Sequence, residues 1–128
     1  MSPGKNRILV VDDDLTILRG FKSILEREGY KVETAETGKV ALEKFKKGKF
    51  NVCLVDFKLP DIDGTELLLK MAEDPETIKI IVTGFSSEEV GKKAADYGAD
   101  DFLVKPVQPA ELIATVRERI ILKNEAGN

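Results

Sequence analysis

Residues 51–64 read NVCLVDFKLPDIDG and join an apolar run to a polar loop. The run VCLV is short and rich in β-branched residues, which is typical of a central parallel strand that helices cover on both faces. Asp56 follows it directly, where open α/β sheets bind their ligands. Taken alone, Asp56 is more typical of a turn than of a functional site. Its interpretation therefore depends on what the rest of the chain brings to the same edge.

The length and charge of the chain restrict the class of protein. With 128 residues it suits one domain, and we expect a single domain over residues 1–128, with a core at about 5–122 and a polar, frayed tail at 123–128. The 20 basic and 23 acidic residues give a formal net charge of -3, and the two signs are interspersed. This pattern argues against direct binding of nucleic acid or of a membrane surface.

The counts of cysteine and histidine limit the disulfide and catalytic chemistry open to the chain. Cys53 is the single cysteine, so no internal disulfide can form, and its apolar surroundings favour a core side chain. The first residues, MSPGKNR, lack the apolar core of a signal peptide, and we expect a cytoplasmic protein. The sequence contains no histidine, which excludes catalytic triads built on histidine. Any phosphohistidine would have to come from a partner.

Hydrophobic periodicity predicts five strands that alternate with five helices. The strands are expected at residues 8–11, 31–36, 52–55, 78–82 and 102–104. The first helix is expected between a cap at Asp14 and a stop at Gly29, and the second between Thr37 and Gly48. The apolar side of the second helix is expected to comprise Val40, Ala41, Leu42 and Phe45.

The remaining three helices are predicted from proline, serine and glycine signals. The third must end before Pro75, because the residue before proline avoids helical geometry. A capping box formed by Ser86 and Glu89 opens the fourth, which stops near Gly98. Pro109 opens the fifth. Its inward face is expected to comprise Leu112, Ile113, Val116 and Ile120.

This alternation predicts a doubly wound α/β domain with a parallel sheet and helices on both faces. No glycine-rich phosphate loop of the G-x-G-x-x-G or Walker type occurs. Because the carboxyl ends of parallel strands share one edge, five polar side chains should converge there. They are Asp12, Asp13, Asp56, Thr83 and Lys105.

The chemistry of this set predicts phosphoryl transfer. Three carboxylates close together need a cation, and oxygen ligands suit Mg²⁺, which usually shares its coordination with phosphate oxygens. An ammonium and a hydroxyl facing that metal would complete a site for the negative charge of a phosphoryl group in transfer.

The chain resembles the receiver domain of two-component response regulators over residues 5–122. The matching pieces are ILVVDDD at 8–14, VCLVDFKLPDIDG at 52–64, IIVTG at 80–84 and GADDFLVKPV at 98–107. The resemblance, and not the periodicity, implies a flavodoxin-like sheet of order 2-1-3-4-5. It also implies a cis peptide bond between Lys105 and Pro106.

The resemblance implies a role for each residue at the edge. Asp56 would be the phosphoacceptor. Mg²⁺ would be held by Asp13, by Asp56, by the backbone carbonyl of Lys58 and, largely through water, by Asp12. Lys105 would pair with the phosphoryl oxygens, and the hydroxyl of Thr83 would turn towards one of them.

Phe102 resembles the rotating aromatic of the family. It would move inward when Thr83 shifts and so change the surface of the fourth predicted helix, the fifth strand and the fifth predicted helix. The implied partners are a sensor histidine kinase or phosphotransfer protein and a downstream protein target or effector domain. A homodimer through the same surface is a further hypothesis, in which Asp100, Asp101 and Arg117 would pair across a twofold axis.

Two alternatives to a signalling phosphoacceptor remain. ILVVDDDLT at 8–16 also fits the D-x-D-x-T pattern of haloacid-dehalogenase-type phosphatases, with Asp12 as nucleophile and Asp14 as acid, but it leaves Asp56 without a role. A phosphorylation-independent interaction module is the other. We expect no enzyme beyond self-catalysed phosphorylation and dephosphorylation.

Overall fold

The computed structural model describes residues 6–84 and 95–126. Its five strands are β1 (Arg7–Val11), β2 (Lys31–Ala35), β3 (Val52–Asp56), β4 (Ile78–Thr83) and β5 (Asp101–Val104). All neighbouring strands pair in parallel, in the order β2-β1-β3-β4-β5. The doubly wound fold and the strand order are therefore confirmed.

Four helices lie within the described residues: α1 (Leu15–Arg27), α2 (Gly38–Lys47), α3 (Gly64–Met71) and α4 (Pro109–Ala126). The predicted caps are confirmed, because the Asp14 side chain accepts from the Thr16 amide and the Thr37 hydroxyl accepts from the Val40 amide. Gly29 adopts a φ of 96° after α1, which side chains rarely tolerate. The predicted helix that begins at Ser86 falls mostly in 85–94, outside the described residues.

The sheet separates two apolar cores, since successive side chains of a strand point to opposite faces. One core lies between the sheet and the two helices α1 and α4, and it includes Val10 and Leu54. The other lies beneath α2 and α3 and includes Leu9, Cys53 and Val55. With both faces covered, β3 is buried along its whole length. This burial explains why its sequence is a continuous apolar run.

Two local expectations are wrong. Val40, predicted on the apolar side of α2, is 36% exposed. It lies about 100° round the helix from the buried Ala41, on the side opposite to Leu42, which packs against the core. The tail expected to fray from residue 123 instead continues α4 to Ala126. Lys123 Nζ donates a 2.7 Å hydrogen bond to the Pro75 carbonyl there, and lysine, glutamate and alanine are good helix formers.

No helix within residues 6–84 and 95–126 combines the length and the apolar character needed to cross a membrane.

Candidate functional site

Asp12 and Asp13 stand at the carboxyl end of β1, but their environments differ. Asp12 is only 2% exposed. Its amide donates to the Ala35 carbonyl at 3.1 Å, and its Oδ1 accepts from the Asp14 amide at 2.9 Å. Asp13 is exposed. The backbone therefore fixes one carboxylate beneath the surface and leaves the other towards solvent.

Asp56 is the last residue of β3 and is buried. Its Oδ1 lies 3.4 Å from the amide nitrogen of Lys58, which belongs to the loop after β3. The chain returns close to Asp56 at Gly64, where an added Cβ would lie 2.3 Å from the Asp56 carbonyl oxygen. Only glycine fits such an approach to a backbone atom. Gly64 therefore closes the loop tightly beside the candidate phosphoacceptor.

Lys105 reaches both buried carboxylates from the end of β5. Its Nζ lies 2.9 Å from Asp12 Oδ2 and 3.5 Å from Asp56 Oδ1, and its side chain is 23% exposed. The Lys105 amide donates to the Thr83 carbonyl at 2.7 Å, which continues the pairing of β4 with β5. The Lys105–Pro106 peptide bond is cis, as the resemblance implies.

The three aspartates form a compact group of oxygen donors. Each of Asp12, Asp13 and Asp56 places a carboxylate oxygen within 4.8 Å of the others. Three negative charges at this separation repel one another strongly where water is partly excluded. A set of carboxylate oxygens open to solvent at Asp13 fits a hard divalent cation that keeps some of its water, such as Mg²⁺.

The electrostatics of the site favour a shared proton or cation at Asp56. Burial and the negative charge of Asp12 raise the pKa of Asp56 above its ordinary value, although Lys105 and the Lys58 amide oppose the shift. Burial alone would lower the pKa of Lys105, but its hydrogen bond to Asp12 and the charge of Asp56 outweigh burial and raise it. The ammonium is thus held charged between the two carboxylates.

Thr83 and Phe102 lie on the paired strands β4 and β5, with Phe102 two residues before the position opposite Thr83. Thr83 ends β4 and is fully buried, opposite Val104 of β5. Phe102 pairs with Ile81, and its side chain is 39% exposed. Thr83 therefore lies beneath the surface of the site, while Phe102 stands partly in solvent.

The sequence did not identify the contact of Asp61, which links the loop after β3 to a neighbouring helix. Asp61 Oδ1 accepts from the Gly38 amide at 2.9 Å, and Oδ2 accepts from the Lys39 amide at 3.0 Å. An acid after a proline is typical of a turn, and its partners lie more than 20 residues earlier in the chain. The sequence offers one signal for this contact. Helix α2 has no acid in its first turn, so its first amides are open to a carboxylate from elsewhere in the chain.

The charged residues suggested for a dimer have partners within the chain. Arg117 pairs with Glu28 at 3.0 Å, and Asp101 pairs with Arg119 at 3.1 Å. Asp100 Oδ2 accepts from the Lys79 amide at 2.8 Å. A dimer built on these groups would have to exchange such contacts.

The residues of the phosphatase alternative have other contacts in the structure. Asp14, its expected acid, is exposed and uses Oδ1 to cap α1. Lys105 instead bridges Asp12 and Asp56. Asp56, which has no role in the phosphatase interpretation, therefore lies in the same group of carboxylates as Asp12.

Residues 8–117 match the family model of the response regulator receiver domain. The chain belongs to this family. A receiver domain protein, CheY-like, from Methanospirillum hungatei JF-1 has a solved structure that is 43% identical with a TM-score of 0.90 over 94% of this chain and 98% of that one. A BeF3-activated DrrB receiver domain is 37% identical, with a TM-score of 0.82 over 90% of this chain and 96% of that one.

The transcriptional regulatory protein SrrA of Staphylococcus aureus (strain NCTC 8325 / PS 47) is 35% identical to the receiver domain over 112 residues, 88% of this chain and 46% of SrrA. The chain thus spans about half the length of the curated relatives that it matches. It is a receiver domain of a two-component response regulator, a family of signalling phosphoacceptors.

Proposed function

We propose that Asp56 accepts a phosphoryl group from a phosphohistidine of a partner histidine kinase or phosphotransfer protein, in a reaction that depends on Mg²⁺. The observation that supports this most strongly is the position of Lys105, whose ammonium lies between the Asp12 and Asp56 carboxylates. Family membership and the three converging carboxylates point the same way.

The transfer is a substitution at phosphorus. A carboxylate oxygen of Asp56 forms a bond to phosphorus while the phosphorus–nitrogen bond of the donor breaks. The bonding electron pair returns to the imidazole nitrogen, which then takes up a proton. Negative charge spreads over the three peripheral phosphoryl oxygens, and the Lys105 ammonium is placed to pair with one of them.

The donor set fits Mg²⁺, because it consists of carboxylate oxygens within 4.8 Å of one another and adjoins a backbone loop at Lys58. Asp13 and Asp56 would hold the ion, with Asp12 largely through water and with the Lys58 carbonyl. When bound, Mg²⁺ neutralises charge on the carboxylates and on the incoming phosphoryl oxygens. A bound cation would also offset the charge of Asp12, which together with burial raises the pKa of Asp56.

The signal would pass through Thr83 and Phe102. On phosphorylation the Thr83 hydroxyl would turn towards a phosphoryl oxygen. Phe102, now 39% exposed, would move inward and change the surface around β5 and α4 for a downstream protein target or effector domain. A single domain over residues 1–128 and a cytoplasmic location are part of this proposal.

A homodimer through the surface around β5 and α4 would have to exchange existing contacts, because Arg117, Arg119 and Asp101 already form pairs within the chain. Solution mass measured with and without phosphorylation tests it. Two chains per particle after phosphorylation support the dimer, and one chain in both states removes it.

The test of the main proposal is intact-protein mass after incubation with Mg²⁺ and acetyl phosphate. Wild type should gain one phosphoryl group, and chelation of Mg²⁺ or the Asp56→Asn substitution should abolish the gain. Loss in Asp12→Asn alone, with steady release of phosphate, would instead establish a phosphatase.

Asp14→Asn is the matched control, because asparagine caps a helix about as well as aspartate. The phosphoacceptor proposal predicts that this variant gains the phosphoryl group as wild type does. The phosphatase alternative predicts a loss of turnover, since Asp14 would be its acid.

A further inference from the structure

The loop that follows β3, residues 57–63, is attached to the beginning of α2. The Asp61 carboxylate uses both oxygens, one for the Gly38 amide at 2.9 Å and one for the Lys39 amide at 3.0 Å. Hydrogen bonds from amides to a carboxylate are stronger than those between neutral groups. These two join segments more than 20 residues apart in sequence.

The start of α2 leaves a place for this carboxylate. The first amides of a helix have no partner within it. Here the Thr37 hydroxyl takes the Val40 amide at 3.1 Å, and the Thr37 carbonyl takes the Ala41 amide at 3.0 Å. The Gly38 and Lys39 amides are left for Asp61. The Gly38 hydrogen bond is the main cause that lowers the pKa of Asp61, so the carboxylate stays charged at neutral pH.

The side chain next to Asp61 holds the same contact by packing. A Cβ added to Gly38 would lie 2.1 Å from Ile62 Cγ2, so the loop approaches the helix as closely as glycine permits. Ile62 also packs against the core beneath α2 and α3. The tip of the loop is therefore held by two charge-assisted hydrogen bonds and by the apolar contact of the partly buried Ile62.

The other end of the loop reaches the phosphoacceptor. The Lys58 amide lies 3.4 Å from Asp56 Oδ1, and Lys58 forms an isolated antiparallel bridge with Asp63. The Gly64 amide donates to the Phe57 carbonyl at 2.8 Å. The loop is thus closed on itself, with Asp61 at its tip three residues after Lys58.

We propose that Asp61 is a positioning residue, which fixes the loop 57–63 on α2 and thereby holds the Lys58 backbone in place beside Asp56. Its importance for phosphorylation rests on the function proposed above, because Lys58 matters only if Asp56 binds Mg²⁺ and accepts the phosphoryl group. The attachment of the loop itself does not depend on that function.

The experiment compares wild type with Asp61→Ala, Asp61→Asn and Thr37→Ala. Thr37→Ala is the matched control, because it removes a cap from the same helix without touching the loop. Two quantities are measured without any phosphodonor: amide hydrogen exchange of residues 57–63 by mass spectrometry, and Mg²⁺ affinity by calorimetry.

We expect Asp61→Ala to accelerate exchange in the loop and to weaken Mg²⁺ binding about 10-fold, as loss of a group that orients a metal ligand typically does. Asp61→Asn should lie between Asp61→Ala and wild type, because its amide keeps one acceptor oxygen. Thr37→Ala should leave both quantities as in wild type.

Unchanged loop exchange in Asp61→Ala would overturn the proposal. So would an equal loss of Mg²⁺ affinity in Thr37→Ala, because the effect would then come from the helix. If wild type binds no Mg²⁺ and forms no adduct, the proposed function fails. Loop exchange still decides the attachment in that case, so the two failures are distinguishable.

Discussion

At the scale of single residues, the Lys105 ammonium offsets the repulsion between the Asp12 and Asp56 carboxylates. Asp12 is almost fully buried, and Lys105 Nζ is 2.9 Å from its Oδ2. A buried charge that loses its partner is costly, whereas an exposed ion pair contributes little. Lys105 therefore stabilises the fold as well as preparing the site for a phosphoryl group.

Lys105→Gln should lower the free energy of unfolding by about 1 to 2 kcal/mol. Because the pKa of Lys105 is raised in the fold, its contribution is fully present at neutral pH and is lost only in strong alkali. Urea denaturation at neutral pH measures the effect. Lys22→Gln, which breaks an exposed pair with Glu26, is the control and should cost less than about 0.5 kcal/mol. Equal costs in the two variants would contradict this account.

Asp56 has the opposite effect on stability. Its pKa is raised by burial and by Asp12, so the native state without metal holds the proton more tightly than the unfolded chain. Stability due to this group is present at low pH and is lost as the pH rises through the folded pKa. A buried carboxylate at a functional site thus destabilises the protein that carries it.

Asp56→Asn should therefore be more stable than wild type at neutral pH without Mg²⁺. The difference should shrink as the pH falls below the ordinary pKa of 3.8, where Asp56 becomes protonated in both states. Urea denaturation of both proteins across this range measures it. A wild type that is the more stable protein at neutral pH would disprove the electrostatic account.

At the scale of elements, the sequence predicts strands and caps well because their signals are local. The continuous apolar run VCLV predicts a buried strand. The signal is strong because β3 is covered by helices on both faces and so carries apolar residues at every position before Asp56. Asp14 and Thr37 are identified as caps because their partners lie within three residues. The contact of Asp61 with Gly38 escapes such reasoning, because it joins positions 23 residues apart.

Lys79 shows a second limit of sequence patterns. It lies inside the apolar run of β4, yet it is only 5% exposed. Its Nζ donates to the carbonyls of Asp74 and Thr77, at 3.0 and 2.9 Å. A buried lysine is tolerated when its donors are satisfied, and backbone acceptors leave no signal in the sequence.

Helix α3 offers a matched test of its assigned faces. Leu67 is fully buried, whereas Leu69, two residues later, is 50% exposed. Leu67→Ala should cost about 2 to 5 kcal/mol through lost burial and a cavity, and Leu69→Ala should change the free energy of unfolding by about 0.5 kcal/mol or less. Thermal or urea denaturation measures both. Similar costs would mean that α3 is rotated from the orientation described here.

At the scale of the whole molecule, the site exists only because the sheet is parallel. Asp12, Asp56 and Lys105 are separated by more than 40 residues at each step. The ends of β1, β3 and β5 nevertheless bring Lys105 Nζ to 2.9 Å from Asp12 Oδ2 and 3.5 Å from Asp56 Oδ1. The sequence predicts this convergence, because alternating strands and helices indicate a parallel sheet, in which all carboxyl ends lie on one side. It does not predict that Asp13 is exposed while Asp12 is buried, which depends on the contacts of Asp12 with the backbone of Asp14 and Ala35.

The most direct test of the central claim locates the phosphoryl group in the chain. After reaction with acetyl phosphate and Mg²⁺, borohydride reduces an aspartyl phosphate to a stable alcohol, and tandem mass spectrometry of the digest identifies the residue. We predict that the converted residue is Asp56 and that omission of Mg²⁺ prevents the conversion. Conversion at Asp12 or Asp13, or no conversion in protein that is folded and binds Mg²⁺, would contradict the account.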